Sequence, residues 1–73
     1  MGEAVFISTD FIRLDAFLKL CGAATTGGEA KLAVAGKLVR VNGSVCTERG
    51  RKLRENDEII YNNTVYTVKK RIK

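Results

Sequence analysis

The sequence predicts an α+β domain: two short packed helices against a small, mostly antiparallel sheet, in the order β-α-α-β-β-β-β. Three observations predict it. Leu14, Phe17, Leu18 and Cys21 stand at i, i+3, i+4 and i+7, one face of a helix. Thr26-x-x-Glu29 is a capping box, the signature of a second helix start. Asn42-Gly43 and Asn62-Asn63, each between β-prone runs, are the dipeptides of tight hairpins.

Each element follows in order. Ala4 to Ser8 is a β-prone run, expected as the first strand and broken by Thr9 and Asp10. Helix one starts near Arg13, carries Asp15 in its first turn where the helix dipole favours an acid, and stops at Gly22. Helix two runs from Thr26 to a stop at Gly36, with Ala30, Ala33 and Val34 inward. A linker of about four residues packs it on helix one. Leu38 to Val41 and Ser44 to Thr47 form the first hairpin. Glu58 to Tyr61 and Thr64 to Val68 form the second. Between them lies a polar, basic loop from Glu48 to Asn56. Lys69 to Lys73 hold four positive charges and are expected to form a flexible tail. Phe6, Phe11 and Phe17 read as core or core-edge residues, and Tyr61 and Tyr66 as candidates for exposure.

Seventy-three residues make one domain, burying only about 60% of the surface that the unfolded chain exposes. Little room remains for a substrate cavity beside a core. The 45% hydrophobic and 29% charged fractions place the chain among folded proteins rather than disordered ones. A net charge of +5 on so small a body favours polyanionic partners. There is no His, and no Ser or Cys stands beside an evident base, so catalytic roles find no constellation to rest on. Two cysteines without His cannot form a usual four-ligand zinc site, and no cofactor is expected. Cys21 and Cys46 read as reduced thiols, Cys21 on the apolar helix face. No apolar run approaches a membrane span and no secretory signal is evident, so the expected location is the cytoplasm.

The chemistry concentrates in cations. Arg49, Arg51, Lys52 and Arg54 lie within six residues, with Gly50 allowing a bend and Leu53 as an apolar anchor. Arginine's planar fork suits phosphate and lysine acts as a point charge. The start of helix two, where Gly27 and Gly28 carry no side chain, could admit a phosphate to the backbone amides, although Glu29 opposes an anion there. The segment is not a P-loop, because no Ser or Thr follows Lys31 at the required spacing. The few aromatics do not form an RNP-like stacking platform.

Arg13-Leu14-Asp15-x-Phe17-Leu18, Thr26-Gly27-Gly28-Glu29-Ala30-Lys31, Val39-Arg40-Val41-Asn42-Gly43, Arg49 to Leu53 and Asp57-x-Ile59 together resemble the S4 RNA-binding domain. The resemblance spans about residues 11 to 61 and is nearest to the small stand-alone bacterial S4 proteins of the YaaA/YbcJ type. It implies an αL-type S4 fold, with RNA held across the helix pair and the following hairpin. It places Arg13, Thr26, Gly27, Lys31 and Arg40 on or near the binding face. With Lys37 and the loop residues Arg49, Arg51 and Lys52, these form the candidate RNA-contacting set. Gly27 stands where many S4 domains carry a basic residue. Lys37 stands where many have glycine before the strand, with Gly36 one position earlier.

The expected function is therefore non-catalytic binding of structured RNA through phosphate and shape contacts, with ribosomal RNA or ribosome assembly as the target class that the resemblance implies. No small-molecule substrate is expected. One rival is a protein-interaction adaptor that docks on a larger nucleic-acid machine, its charge serving solubility or non-specific DNA attraction. Another is duplex DNA binding, but helix two lacks the Arg, Gln or Asn residues that read bases in the major groove.

Overall fold

A computed structural model describes residues 2–71. Its strands are β1 (Gly2–Ile7), β2 (Ile12–Arg13), β3 (Val39–Val41), β4 (Ser44–Val45), β5 (Lys52–Leu53), β6 (Glu58–Tyr61) and β7 (Thr64–Lys70). The helices α1 (Leu14–Leu20) and α2 (Gly27–Ala35) lie between β2 and β3. This is the expected α+β architecture, with two additions. The main sheet has the order β1-β7-β6-β3-β4, and its β1–β7 pair is parallel while every other pair is antiparallel. A second, two-residue ribbon pairs β2 with β5, so part of the segment expected as loop is strand.

One face of the main sheet meets the helices. In β3, Val39 and Val41 point into the core and Arg40 points out. Ile59, Tyr66 and Val68 follow the same period-two rule, and Leu14, Phe17, Leu18, Ala30, Ala33 and Val34 meet them from the helices. Phe17 and Tyr66 pack edge to face, with centroids 6.2 Å apart. No described side chain leaves a buried polar atom unpaired.

Several expectations change. Phe6 is 53% exposed and Phe11 39% exposed, so neither is core. Phe6 faces out because its neighbours Val5 and Ile7 take the inward side of β1. Tyr66 is buried, and that burial pushes its hydroxyl pKa up. Cys21 is not on the helix but caps its end and is only half-buried, whereas Cys46 is the buried thiol. Lys69 and Lys70 belong to β7 rather than to a frayed tail, and the Arg71 amide donates to the Ile7 carbonyl at 2.7 Å. The tail expected at 72–73 lies outside the described residues.

Turn chemistry fixes the rest. Asn42 and Gly43 both take positive φ, at 52° and 87°, as do Asn62 and Asn63, at 55° and 62°. This is the backbone that a type I′ hairpin requires. Asn42 does more than turn: its Oδ1 accepts the Glu58 amide at 2.9 Å and its Nδ2 donates to Asp57 at 3.2 Å. Asp57 in turn accepts the Arg54 amide at 2.8 Å, which ties the end of the basic loop to the first hairpin.

The left-handed residue after α2 is Lys37 (φ 62°), not Gly36 (φ −79°). The Lys37 amide donates to the Val34 carbonyl and the Leu38 amide to the Ala33 carbonyl, both at 3.1 Å, which is a Schellman motif. A lysine there pays the steric cost of the left-handed region. Lys37→Gly is therefore expected to raise stability by roughly 0.5–1 kcal/mol, read as a higher urea midpoint at an unchanged m-value.

The Lys70 ammonium meets the Asp10 carboxylate at 2.7 Å, an exposed pair at the end of β7. That hydrogen bond, then the ammonium's charge, lowers the Asp10 pKa, and the same contact raises that of Lys70. Because Asp10 is depressed on folding, its small stabilisation is present above the usual carboxylate range and is lost as pH falls through its lowered midpoint. An NMR titration is expected to place Asp10 below an ordinary Asp, and Lys70→Gln to return it toward the ordinary value.

Candidate nucleic-acid interface

Helix α1 has no side-chain cap: Arg13 occupies the N-cap position and makes no capping bond. The first amides of the helix find partners in the basic loop instead. Leu14 donates to the Arg51 carbonyl at 2.8 Å, and Asp15 to the Arg49 carbonyl at 2.9 Å. A helix start ordinarily leaves such donors unsatisfied. Here they clamp the loop by its backbone, so the side chains of Arg49 and Arg51 are spared from that task.

The β2–β5 ribbon continues the clamp. Ile12 lies opposite Leu53, and Leu53 is fully buried. Alternation then turns Phe11 and Arg13 outward from one strand, and Lys52 and Arg54 outward from the other. Arg13 lies directly opposite Lys52. Like charges in that position repel. Asp15 offsets this in part through an ion pair with Arg13 at 3.1 Å. The Arg13 guanidinium also lies over Gly50, where an added Cβ would sit 3.7–3.9 Å from it. Among the described residues, Arg49, Arg51, Lys52 and Arg54 take part in no ion pair.

A groove of about 270 Å³ runs from this ribbon to α2, lined by Arg13, Asp15, Ala16, Lys19 and Gly27. Thr26 caps α2 next to Gly27: its Oγ1 accepts the Glu29 amide at 3.1 Å, while the Glu29 carboxylate accepts the Thr25 amide at 2.8 Å. The capping box thus closes one residue earlier than its usual form, in which the carboxylate bonds the cap residue itself. Nothing lies within 4 Å of a Cβ built on Gly27. Lys31 is exposed and stands four residues on from Gly27, hence on the same helix face and about 6 Å further along.

The structure therefore brings the backbones of Arg49 and Arg51 to the start of α1, sets Lys52 opposite Arg13, and lines the groove with Arg13 and Gly27, with Thr26 capping α2 next to Gly27 and Lys31 one turn beyond. It separates two others. Lys37 lies past the opposite end of α2, roughly 14 Å along the helix from Gly27. Arg40 points from the outer face of the main sheet into a different depression of about 350 Å³, lined by Leu38, Ile60, Tyr61, Asn62 and Asn63. Lys19 is an addition to the groove. Lys19 was legible as a position on the face of α1 opposite Leu14, Phe17 and Leu18. Arg54 was read in the basic loop, while the placement of Phe11 beside Lys52 and Arg54 was legible only once β2 and β5 were known to pair.

The family model for the S4 domain matches residues 5–69. The chain belongs to the S4 domain family. The match takes in both helices, the ribbon and the basic loop. This family is one of RNA-binding modules. No curated protein matches the chain.

Among the described residues no group of three or more Cys, Asp or Glu is placed to hold a metal ion. Burial pushes the half-buried Cys21 thiol pKa up, which disfavours its thiolate. No described helix is long and apolar enough to cross a membrane.

Gly27 gives a direct test of the groove. Gly27→Arg meets open space at a helical φ and adds a cation beside Arg13 and Lys19. Tighter binding to an RNA hairpin, with a log–log salt slope steeper by about one unit, is the expected outcome of a filter-binding series.

Proposed function

We propose that this protein binds structured RNA without chemical turnover, gripping phosphates along one strand of a helical stem with the face built from the ribbon, the basic loop and the α1–α2 groove. The observation that carries this reading is the clamp at α1. Backbone carbonyls fix the loop in place, and Arg13 is held opposite Lys52 despite their repulsion. A fixed row of like charges costs stability in the free protein and is repaid when a polyanion lies across it. A-form RNA hides its base edges in a deep, narrow groove, so phosphate and shape contacts suit such a surface.

Arg13, Arg49, Arg51 and Lys52 supply the central cations, with Lys19 and Lys31 flanking. Thr26 shapes the groove, and Gly27 leaves the backbone open to phosphate. Arg40 and Lys37, which lie away from the groove, take peripheral contacts on a longer RNA. The target class that fits best is ribosomal RNA or an assembly intermediate of the ribosome, met in the cytoplasm.

Neutralising Arg49, Arg51 and Lys52 to Gln together leaves the two clamping carbonyls in place. The variant is expected to fold normally by circular dichroism and to bind an RNA hairpin more weakly, with the salt slope flatter by about three units. An unchanged slope would remove the loop from the interface.

A second reading rests on the outer face of the main sheet, where Leu38 and Val45 are exposed beside Arg40. An adaptor would dock a protein there. A partner retained through nuclease and high salt, and lost on Val45→Glu, would favour it.

A further inference from the structure

Phe11 is the aromatic that the core does not use and the cationic face does. Its backbone is pinned outside both helices and sheet, with the Thr9 hydroxyl donating to its carbonyl at 2.7 Å. Its ring lies under the Lys52 ammonium, 4.8 Å from the ring centroid, and near the Arg54 guanidinium at 5.8 Å. It keeps 39% of its surface in solvent. Each such exposed cation–π contact is weak, so either cation can leave the ring for a phosphate at little cost. Phe11 thus sits two positions along the ribbon from the Arg13–Lys52 pair, past Ile12 and Leu53 and on the same outward face.

We propose that Phe11, with Lys52 and Arg54, is a stacking site for an unpaired nucleobase next to the stem that the basic face grips. The base would lie on the ring, and the phosphates on either side of it would take the two cations. Bases inside a duplex have both faces covered by their neighbours and cannot reach the ring. Only a bulged, overhanging or loop nucleotide can. The site therefore turns a sequence-blind phosphate grip into a preference for a junction between stem and single strand. Stacking of this kind tolerates any base, because every base offers a π-face. The proposal rests on the basic face binding RNA, and it names the kind of RNA that face takes.

The test uses one hairpin in two forms, blunt or with a single unpaired nucleotide at the stem end, against the full chain. Wild type is expected to bind the extended form at least about fivefold more tightly. Phe11→Leu keeps an apolar side chain and every charge. It should erase that preference while leaving both blunt-stem affinity and salt slope unchanged. Phe11→Trp should restore the preference. Because the chain has no tryptophan, its fluorescence reports this site alone. Quenching is expected with the extended hairpin, and not with the blunt one or with an abasic nucleotide at the unpaired position.

Equal binding of the two hairpins by wild type would overturn the stacking site and leave the phosphate grip standing. So would a Phe11→Leu variant that loses blunt-stem affinity and salt slope together, since the ring would then only position Lys52 and Arg54. Failure of wild type to bind either hairpin would instead overturn the RNA reading itself.

Discussion

Two backbone hydrogen bonds, from the Leu14 and Asp15 amides to the Arg51 and Arg49 carbonyls, hold this molecule's functional surface together. They solve two problems at once. A seven-residue helix with no side-chain cap needs acceptors for its first donors, and a loop dense in positive charge needs a reason to stay near other cations. Because carbonyls do the holding, the arginine side chains are left for solvent or a ligand. Buried Leu53 adds the apolar anchor below, and the Asn42–Asp57–Arg54 chain of hydrogen bonds fixes the loop's far end to the first hairpin. The loop is therefore part of the folded body at both ends.

What the sequence revealed follows from how local each signal is. The Thr26–Glu29 cap and the two Asn-led turns are decided by residues within four positions of one another, and both were readable. The α1 face was readable from its spacing, although Cys21 fell just past the helix end. The β2–β5 ribbon was not, because two-residue strands have no measurable period and their partners lie forty positions apart. Phe11 was misjudged with it. An aromatic before a helix looks like core until Ile12 is seen to take the inward side. Lys37 was hidden for another reason: the left-handed position that ends α2 is usually glycine, and here Gly36 stands one place too early to fill it. At the candidate site, residue types were legible, while their grouping was not. Arg40 and Arg13 are equally basic in sequence, and the sheet sends them to different faces.

The S4 family match and the geometry support each other from independent directions. The match identifies the module, and the structure shows how a loop of cations without ion pairs among the described residues is tied to so small a core. Most of the apolar side chains serve the helix–sheet contact, and the ribbon costs only Ile12 and Leu53. An economical arrangement of this kind separates the residues that make the fold from those that face a ligand, so substitutions on the basic side can retune binding with little effect on folding.

The parallel pairing of β1 with β7 has a consequence for synthesis. β7 is made after every other strand, yet it lies between β1 and β6 in the sheet. Until residues 64–70 have left the ribosomal tunnel, β1 has no partner and β6 has an open edge. A nascent chain holding both helices and the first hairpin therefore still exposes the core side of Val5, Ile7 and Ile59. Insertion of β7 closes the longest-range contacts in the domain.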